Sequence, residues 1–159
     1  MEHGQCTKHL HLIRSNDNKM EIKIVETDAQ RKDAYFIRNT VFVDEQNVPA
    51  ELEIDELEEE AIHFVGYEKN EPVAASRLRL VEEYGKLERI CVLKGYRGLS
   101  FGKQIIQEME RIITEKGFKK AKLNAQVQAE EFYGSLGYKT ISGEFMDACI
   151  PHVTMTKQL

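Results

Sequence analysis

Apolar and polar positions alternate along residues 20–26, where Ile22 and Ile24 fall out of step with Glu21 and Lys23, and this predicts a half-buried strand. Thr27-Asp28 then offers a helix cap. Gln30 stands three residues after Thr27, the spacing of a capping box, so a helix is expected to run to about Val41. Pro49 closes the following loop. Residues 61–67 and 72–81 read as two strands of a hairpin turned by Lys69-Asn70-Glu71, and Gly85 reads as a break before a third strand over 86–93.

The clearest periodicity comes next. Phe101, Ile105, Ile106, Met109, Ile112 and Ile113 form one stripe of a helix, with Lys103, Gln107, Glu108, Glu110 and Arg111 outside it and Gly117 as its stop. Ala121, Leu123, Ala125 and Val127 alternate as a strand, and a short helix is expected from about Ala129 to Gly137. Two closing strands follow, over 138–145 and 152–157. The order β-α-(α)-β-β-β-α-β-α-β-β predicts a mixed α/β (α+β) sheet with antiparallel portions.

Composition narrows the class. A chain of 159 residues, 42% hydrophobic and 31% charged, suits one soluble domain that folds without staples. No run approaches the roughly 20 apolar residues of a membrane span, and no membrane partner is expected. Cys6, Cys91 and Cys149 are far apart, so neither disulfides nor a cysteine zinc site is expected, and a reducing cytoplasm is the expected compartment. Cys91, inside the run Leu87 to Leu93, reads as a small buried hydrophobe. Residues 1–19 carry His3, His9 and His11 without periodicity: either a metal-binding tail or an extension ahead of a domain spanning 20–159.

The net charge is −5, which argues against binding a phosphate backbone as the main activity. Lys116, Lys119, Lys120 and Lys122 alone favour nucleic acid, and they read as the solvent edge of a helix–strand turn. Much of the acidity lies in residues 51–60, seven carboxylates in ten positions. That run lacks the ligand order and glycine of a calcium loop. It is either a solvated face or an attractor for a cationic substrate, with Glu53 and Asp55 the candidates.

The strand over 86–93 runs through Lys94-Gly95-Tyr96-Arg97-Gly98-Leu99-Ser100-Phe101-Gly102-Lys103 into the amphipathic helix. Small residues let several N–H groups converge at a helix N-terminus, where they can hold a pyrophosphate without a metal. Neither the Walker spacing nor the dinucleotide fingerprint is present. The loop resembles motif A of the GNAT superfamily of acetyl-CoA-dependent N-acetyltransferases, Gln/Arg-x-x-Gly-x-Gly/Ala. Arg97, Ser100 and Gly102 take its three places, and Ser100 departs from the central glycine. Ala129-Glu130-Glu131-Phe132-Tyr133-Gly134-Ser135-Leu136-Gly137-Tyr138 is similar to motif B. The segments Val41 to Gln46, Leu87 to Val92, Leu123 to Gln126 and Ile150-Pro151-His152 resemble the ElaA/YjcF-like branch, and that likeness covers Met20 to Met155.

The resemblance implies the acyl-CoA N-acyltransferase fold, a mostly antiparallel sheet of about six or seven strands flanked by helices. It implies acetyl-CoA as co-substrate, no metal, and direct transfer to a primary amine of a small molecule or peptide. A homodimer is also implied, since family members are often dimers. A non-catalytic acyl-CoA-binding module of the same fold is the alternative. Ile90, Cys91 and Val92 would pair with pantetheine. The pyrophosphate would lie over Arg97, Gly98, Leu99, Ser100, Phe101, Gly102 and Lys103. Gln126 takes the place of a pantetheine-contacting Asn, with Asn124 nearby. Tyr133 matches the general acid that protonates the leaving thiolate.

For the base, Glu88 stands two residues before Ile90, where a regular pleat would put both on one face; alternatively it forms an ion pair with Arg89. His152 is the other candidate base, or else an anchor of the last strand. Asp147 would orient a substrate ammonium or His152, and Glu45, Gln46 and His63 would wall the acceptor site.

Overall fold

The structure is a computed structural model that describes residues 19–159. The expected extension over residues 1–19, with His3, His9 and His11, lies outside the described residues apart from Lys19.

Strand β1 (Glu21–Ile24) leads into α1 (Asp28–Arg38). The capping box is present: the Gln30 amide donates to Thr27 Oγ1 at 3.1 Å, and the Thr27 amide donates to Gln30 Oε1 at 3.2 Å. The helix then departs from the expected α-helical run to Val41. After Arg38 the chain widens into a π-helical segment, Asn39–Glu45, where the Gln46 amide reaches back to the Val41 carbonyl at 3.1 Å. Such wide turns are rare and are frequent at functional sites. A single turn, α2 (Ala50–Glu53), follows Pro49.

Strands β2 (Ile62–Glu68), β3 (Glu71–Val81) and β4 (Tyr84–Val92) form an antiparallel meander. Lys69 and Asn70 turn β2 into β3 with φ of 50° and 68°, as a two-residue primed turn requires. Gly85 is not a break but part of β4. Helix α3 (Phe101–Glu115) lies so close there that a Cβ on Gly85 would sit 2.4 Å from Ile113 Cγ1. The six residues of the predicted stripe are the six that α3 buries.

Strand β5 (Lys120–Gln126), helix α4 (Glu130–Ser135) and strands β6 (Lys139–Thr140), β7 (Phe145–Asp147) and β8 (Ile150–Gln158) complete the chain. The expected strand over 138–145 is two short pieces, because Ser142 Oγ takes the Thr154 amide at 2.8 Å in place of a backbone partner. The sheet consequently has eight strands in the order β1-β2-β3-β4-β5-β8-β6, with β7 on β8. Among the described residues only β4 and β5 run parallel. One core lies under α3, around Phe64, Leu78, Ile105 and Met109; the other lies under α1, around Ile37, Val65, Ala75 and Cys91. Among the described residues no helix is long and apolar enough to cross a membrane.

Two local features of β4 create the site. Its pairing with β5 stops at Leu87–Leu123, so both strands continue with free facing edges and splay. Next to that point, β4 bulges. Arg77 pairs with Glu88 and Ala75 with Cys91, leaving Arg89 and Ile90 opposite Ser76 alone, with Arg89 at φ 54°. The bulge inverts the pleat: Leu87 and Ile90 join the α3 core, whereas Cys91 joins the α1 core. Glu88 faces the α1 side with Arg77, so the one-face expectation for Glu88 and Ile90 is corrected.

Candidate active site

The splay opens into a cavity of about 1190 Å³. Ile90, Cys91 and Val92 of β4 line one wall, and Asn124 and Gln126 of β5 line the facing one. Tyr133 of α4, with Asp147, Ile150 and His152 of the β7–β8 hairpin, closes the far end. Gln46, Leu52, Glu53 and Asp55 cover it from the segment between α1 and β2.

Arg97, Gly98, Ser100, Phe101, Gly102 and Lys103 line the cavity at the N-terminus of α3. Leu99 packs instead against the α3 core. Gly98 has φ 79°, and Ser100, the residue before the helix, has φ 66° with no side-chain cap bond. Left-handed backbone suits glycine far better than serine, which accounts for the motif's central glycine. Lys103 has no ion pair among the described residues, so loop amides, helix dipole and one uncompensated cation face the same opening. These groups suit a pyrophosphate, and the free edge of β4 suits an extended amide chain.

Tyr133 sits edge-on to Phe132 and Tyr138, with ring centroids 5.2 and 6.0 Å apart, and its hydroxyl has no hydrogen-bond partner among the described residues. Burial raises its pKa well above the usual phenol value, which keeps the proton on the oxygen. The Cys91 thiol, also buried, is pushed up to about 12 and is not a nucleophile near neutral pH.

Glu88 forms an ion pair, but not with Arg89. It accepts from Arg79 Nε at 2.5 Å and lies 3.3 Å from Arg77 Nη2. Burial alone would raise its pKa, yet Arg79 and Arg77 outweigh that and hold it below the ordinary value, which makes it a weak base. His152 is better disposed. Its Nδ1 lies 2.6 Å from the Ile150 carbonyl, which can only accept, so Nδ1 donates and the neutral ring has its lone pair on Nε2. It does not bond Asp147 through Nδ1, and Asp147 has no cationic partner among the described residues.

Part of the acidic run is a solvated face, with Glu51, Glu56, Glu59 and Glu60 exposed, but its other three carboxylates turn inward. Arg38 donates from Nε to Glu53 at 2.7 Å and from both Nη atoms to Glu58, at 2.8 and 2.7 Å. Arg77 Nη1 donates to Asp55 and to Glu58, each at 2.8 Å. Arg89 holds the Glu53 carbonyl at 3.2 Å and Asp55 at 3.3 Å. Burial works to raise Asp55 and Glu58, but the arginines win and both carboxyls stay below their usual values. Asp55 is therefore neutralised where it lines the cavity.

His63 is absent from the cavity wall and lies behind this network, with Nε2 2.7 Å from the Glu58 carbonyl and burial lowering its pKa. Glu45 pairs with Arg97 rather than walling an acceptor, through two contacts of 2.6 Å. Gln126 donates to Gln46 at 2.8 Å, and Asn124 accepts from Thr154 at 2.9 Å. The arginines that organise this end, Arg38, Arg77 and Arg79, were missed by the sequence reading. The available signal was cationic residues on apolar-patterned faces, Arg77 and Arg79 alternating with leucines.

The family model of the GNAT acetyltransferase domain matches residues 24–159. The chain belongs to the GNAT family. YjcF of Bacillus subtilis, an uncharacterized N-acetyltransferase, is 49% identical over 87% of this chain and 99% of its own length. ElaA of Escherichia coli is 28% identical over 77% of this chain and 84% of its own. A solved N-acetyltransferase structure from Lactobacillus plantarum superposes with a TM-score of 0.82, at 30% identity over 88% of this chain and 98% of that one. These relatives place this GNAT protein in the ElaA/YjcF-like branch. Among the described residues no group of three or more His, Cys, Asp or Glu side chains is set to hold a metal ion.

Proposed function

We propose that this GNAT protein transfers the acetyl group of acetyl-CoA directly to a primary amine of a small molecule or peptide. The observation that carries the reading is the splay itself. A free strand edge and an anion-binding loop lead to a chamber holding a protonated phenol, an imidazole lone pair and an unpaired carboxylate. The same fold holds coenzyme A in a solved N-acetyltransferase from Thermoplasma acidophilum, which is 16% identical with a TM-score of 0.67.

Acetyl-CoA supplies an activated carbonyl and a thiolate leaving group. The chain supplies the proton handling. Asp147 holds the acceptor's ammonium by charge, and His152 Nε2 takes one of its protons, since only the neutral amine can attack. The amine nitrogen bonds to the carbonyl carbon, the carbon–sulfur bond breaks, Tyr133 gives its hydroxyl proton to the departing thiolate, and the second proton shed by the new amide nitrogen restores the Tyr133 phenol. The buried thiol of Cys91 offers no acetyl-enzyme route.

The test is thiol release from acetyl-CoA with a panel of amines. Acceptor-dependent release by the wild type, lost about 100-fold or more in Tyr133→Phe, is expected from typical acid–base contributions. Tight coenzyme A binding with no release for any amine would instead identify a non-catalytic binding module.

A further inference from the structure

Glu45 and Gln46 are adjacent in sequence, yet they grip opposite sides of the splay. Glu45, which ends the π-helical segment, holds the Arg97 guanidinium through both carboxylate oxygens at 2.6 Å, beside the end of β4. Gln46 accepts from Gln126 Nε2 at 2.8 Å, at the end of β5. Between these anchors the two strands have no ladder bonds, since their pairing ends at Leu87–Leu123.

We infer that Glu45 and Gln46 form a strap across the mouth of the splay, which acyl-CoA displaces on entry by taking Arg97 and Gln126 for itself. This rests on the acyl-CoA reading and goes beyond it, because it moves both residues from the acceptor wall to the control of cofactor entry.

Three observations converge on exchange. The planar edge of Arg97 that suits a phosphate is the edge Glu45 occupies, and Arg97 Nε is also engaged, donating to the Val92 carbonyl at 3.0 Å. A carboxylate kept at that position would face the pyrophosphate with like charge. The residues that lead into the strap are wound in the rare π form, which is frequent at functional sites. The Glu45–Arg97 pair is also partly open to water, with side-chain exposures of 34% and 41%, so its loss is readily offset.

The experiment is coenzyme A binding to the full chain, followed by calorimetry and stopped-flow association, for wild type, Glu45→Gln and Gln46→Ala. Removing the competing carboxylate is expected to speed association and tighten binding about three- to fivefold, the range of an exposed ion pair. Gln46→Ala is expected to change both in the same direction by about twofold, since its bond is uncharged. A residue that only held Arg97 in place would weaken binding when removed. Unchanged or weaker binding by Glu45→Gln therefore overturns the strap. Failure of the wild type to bind coenzyme A would overturn the acyl-CoA reading itself, and the strap with it.

Discussion

Arg38, the last residue of α1, and Glu58, in the irregular segment before β2, are both buried and face each other through two parallel hydrogen bonds of 2.8 and 2.7 Å. Glu53 takes the remaining edge of the same guanidinium at 2.7 Å. A buried pair of this kind adds little compared with an apolar replacement of both partners, but losing one partner strands the other's charge. Arg38→Met is therefore expected to lower unfolding free energy by about 3–5 kcal/mol. Urea denaturation checks it, and a shift in midpoint worth under about 1 kcal/mol would mean the carboxylates find water instead.

The same network sets two pH windows. Burial lowers the His63 pKa from an ordinary 6.5, with the nearby charges of Arg38 and Arg31 acting in the same direction. Below pH 6.5 the unfolded chain binds a proton that the buried imidazole refuses, so stability is full above that value and falls as pH drops through it. Asp55, Glu58 and Glu88 have lowered values, so their contribution is full above the ordinary 3.8 and 4.5 and is lost at lower pH. Urea midpoints of wild type and His63→Gln should diverge between about pH 7 and 5, and identical slopes there would remove His63 from the account.

Local rules carried far in this chain, and non-local ones did not. The capping box at Thr27, the Lys69-Asn70 turn and the α3 stripe depend on residues a few positions apart, and each was legible. The bulge at Arg89 was not, because Leu87 to Leu93 reads as one uninterrupted strand while the inversion is imposed by pairing with β3. The inward-facing part of the acidic run, Glu53, Asp55 and Glu58, was hidden for a similar reason. Its neutralising partners, Arg38 and Arg77, lie on other elements, brought in by α1 and β3. That residues 90–92 and the loop before α3 line one cavity was legible because that strand and loop are contiguous in sequence. The acceptor end comes from four separate segments, and the sequence reading placed His63 and Glu45 there although neither lines the cavity.

Gly85 is a second place where a close approach overrode a local signal. A methyl added there would lie 2.4 Å from Ile113 Cγ1 and 2.5 Å from its Cδ1, so Ile113 or the whole of α3 has to move. Overpacking of this sort typically costs about 1–3 kcal/mol. Gly85→Ala should show that loss in thermal or urea unfolding. Ile113→Ala, which removes all three clashing atoms, combined with it should cost less than the two single changes added together. Strict additivity would show that the two side chains do not collide.

Asp147 offers the sharpest test of the acceptor end. Four carboxylates line the cavity, from Glu53, Asp55, Glu88 and Asp147. Arginines compensate the first three, so only Asp147 keeps its charge available to an ammonium. A hydrogen bond to a charged group is worth about 1.5–3 kcal/mol, or roughly 10- to 100-fold in binding. Asp147→Asn is thus expected to raise the acceptor KM by that factor while leaving the KM for acetyl-CoA within about twofold, because the anion-binding loop is untouched. Steady-state kinetics with each substrate varied in turn separates the two. An equal rise in both constants would mean that Asp147 supports the β7–β8 hairpin and does not hold the amine.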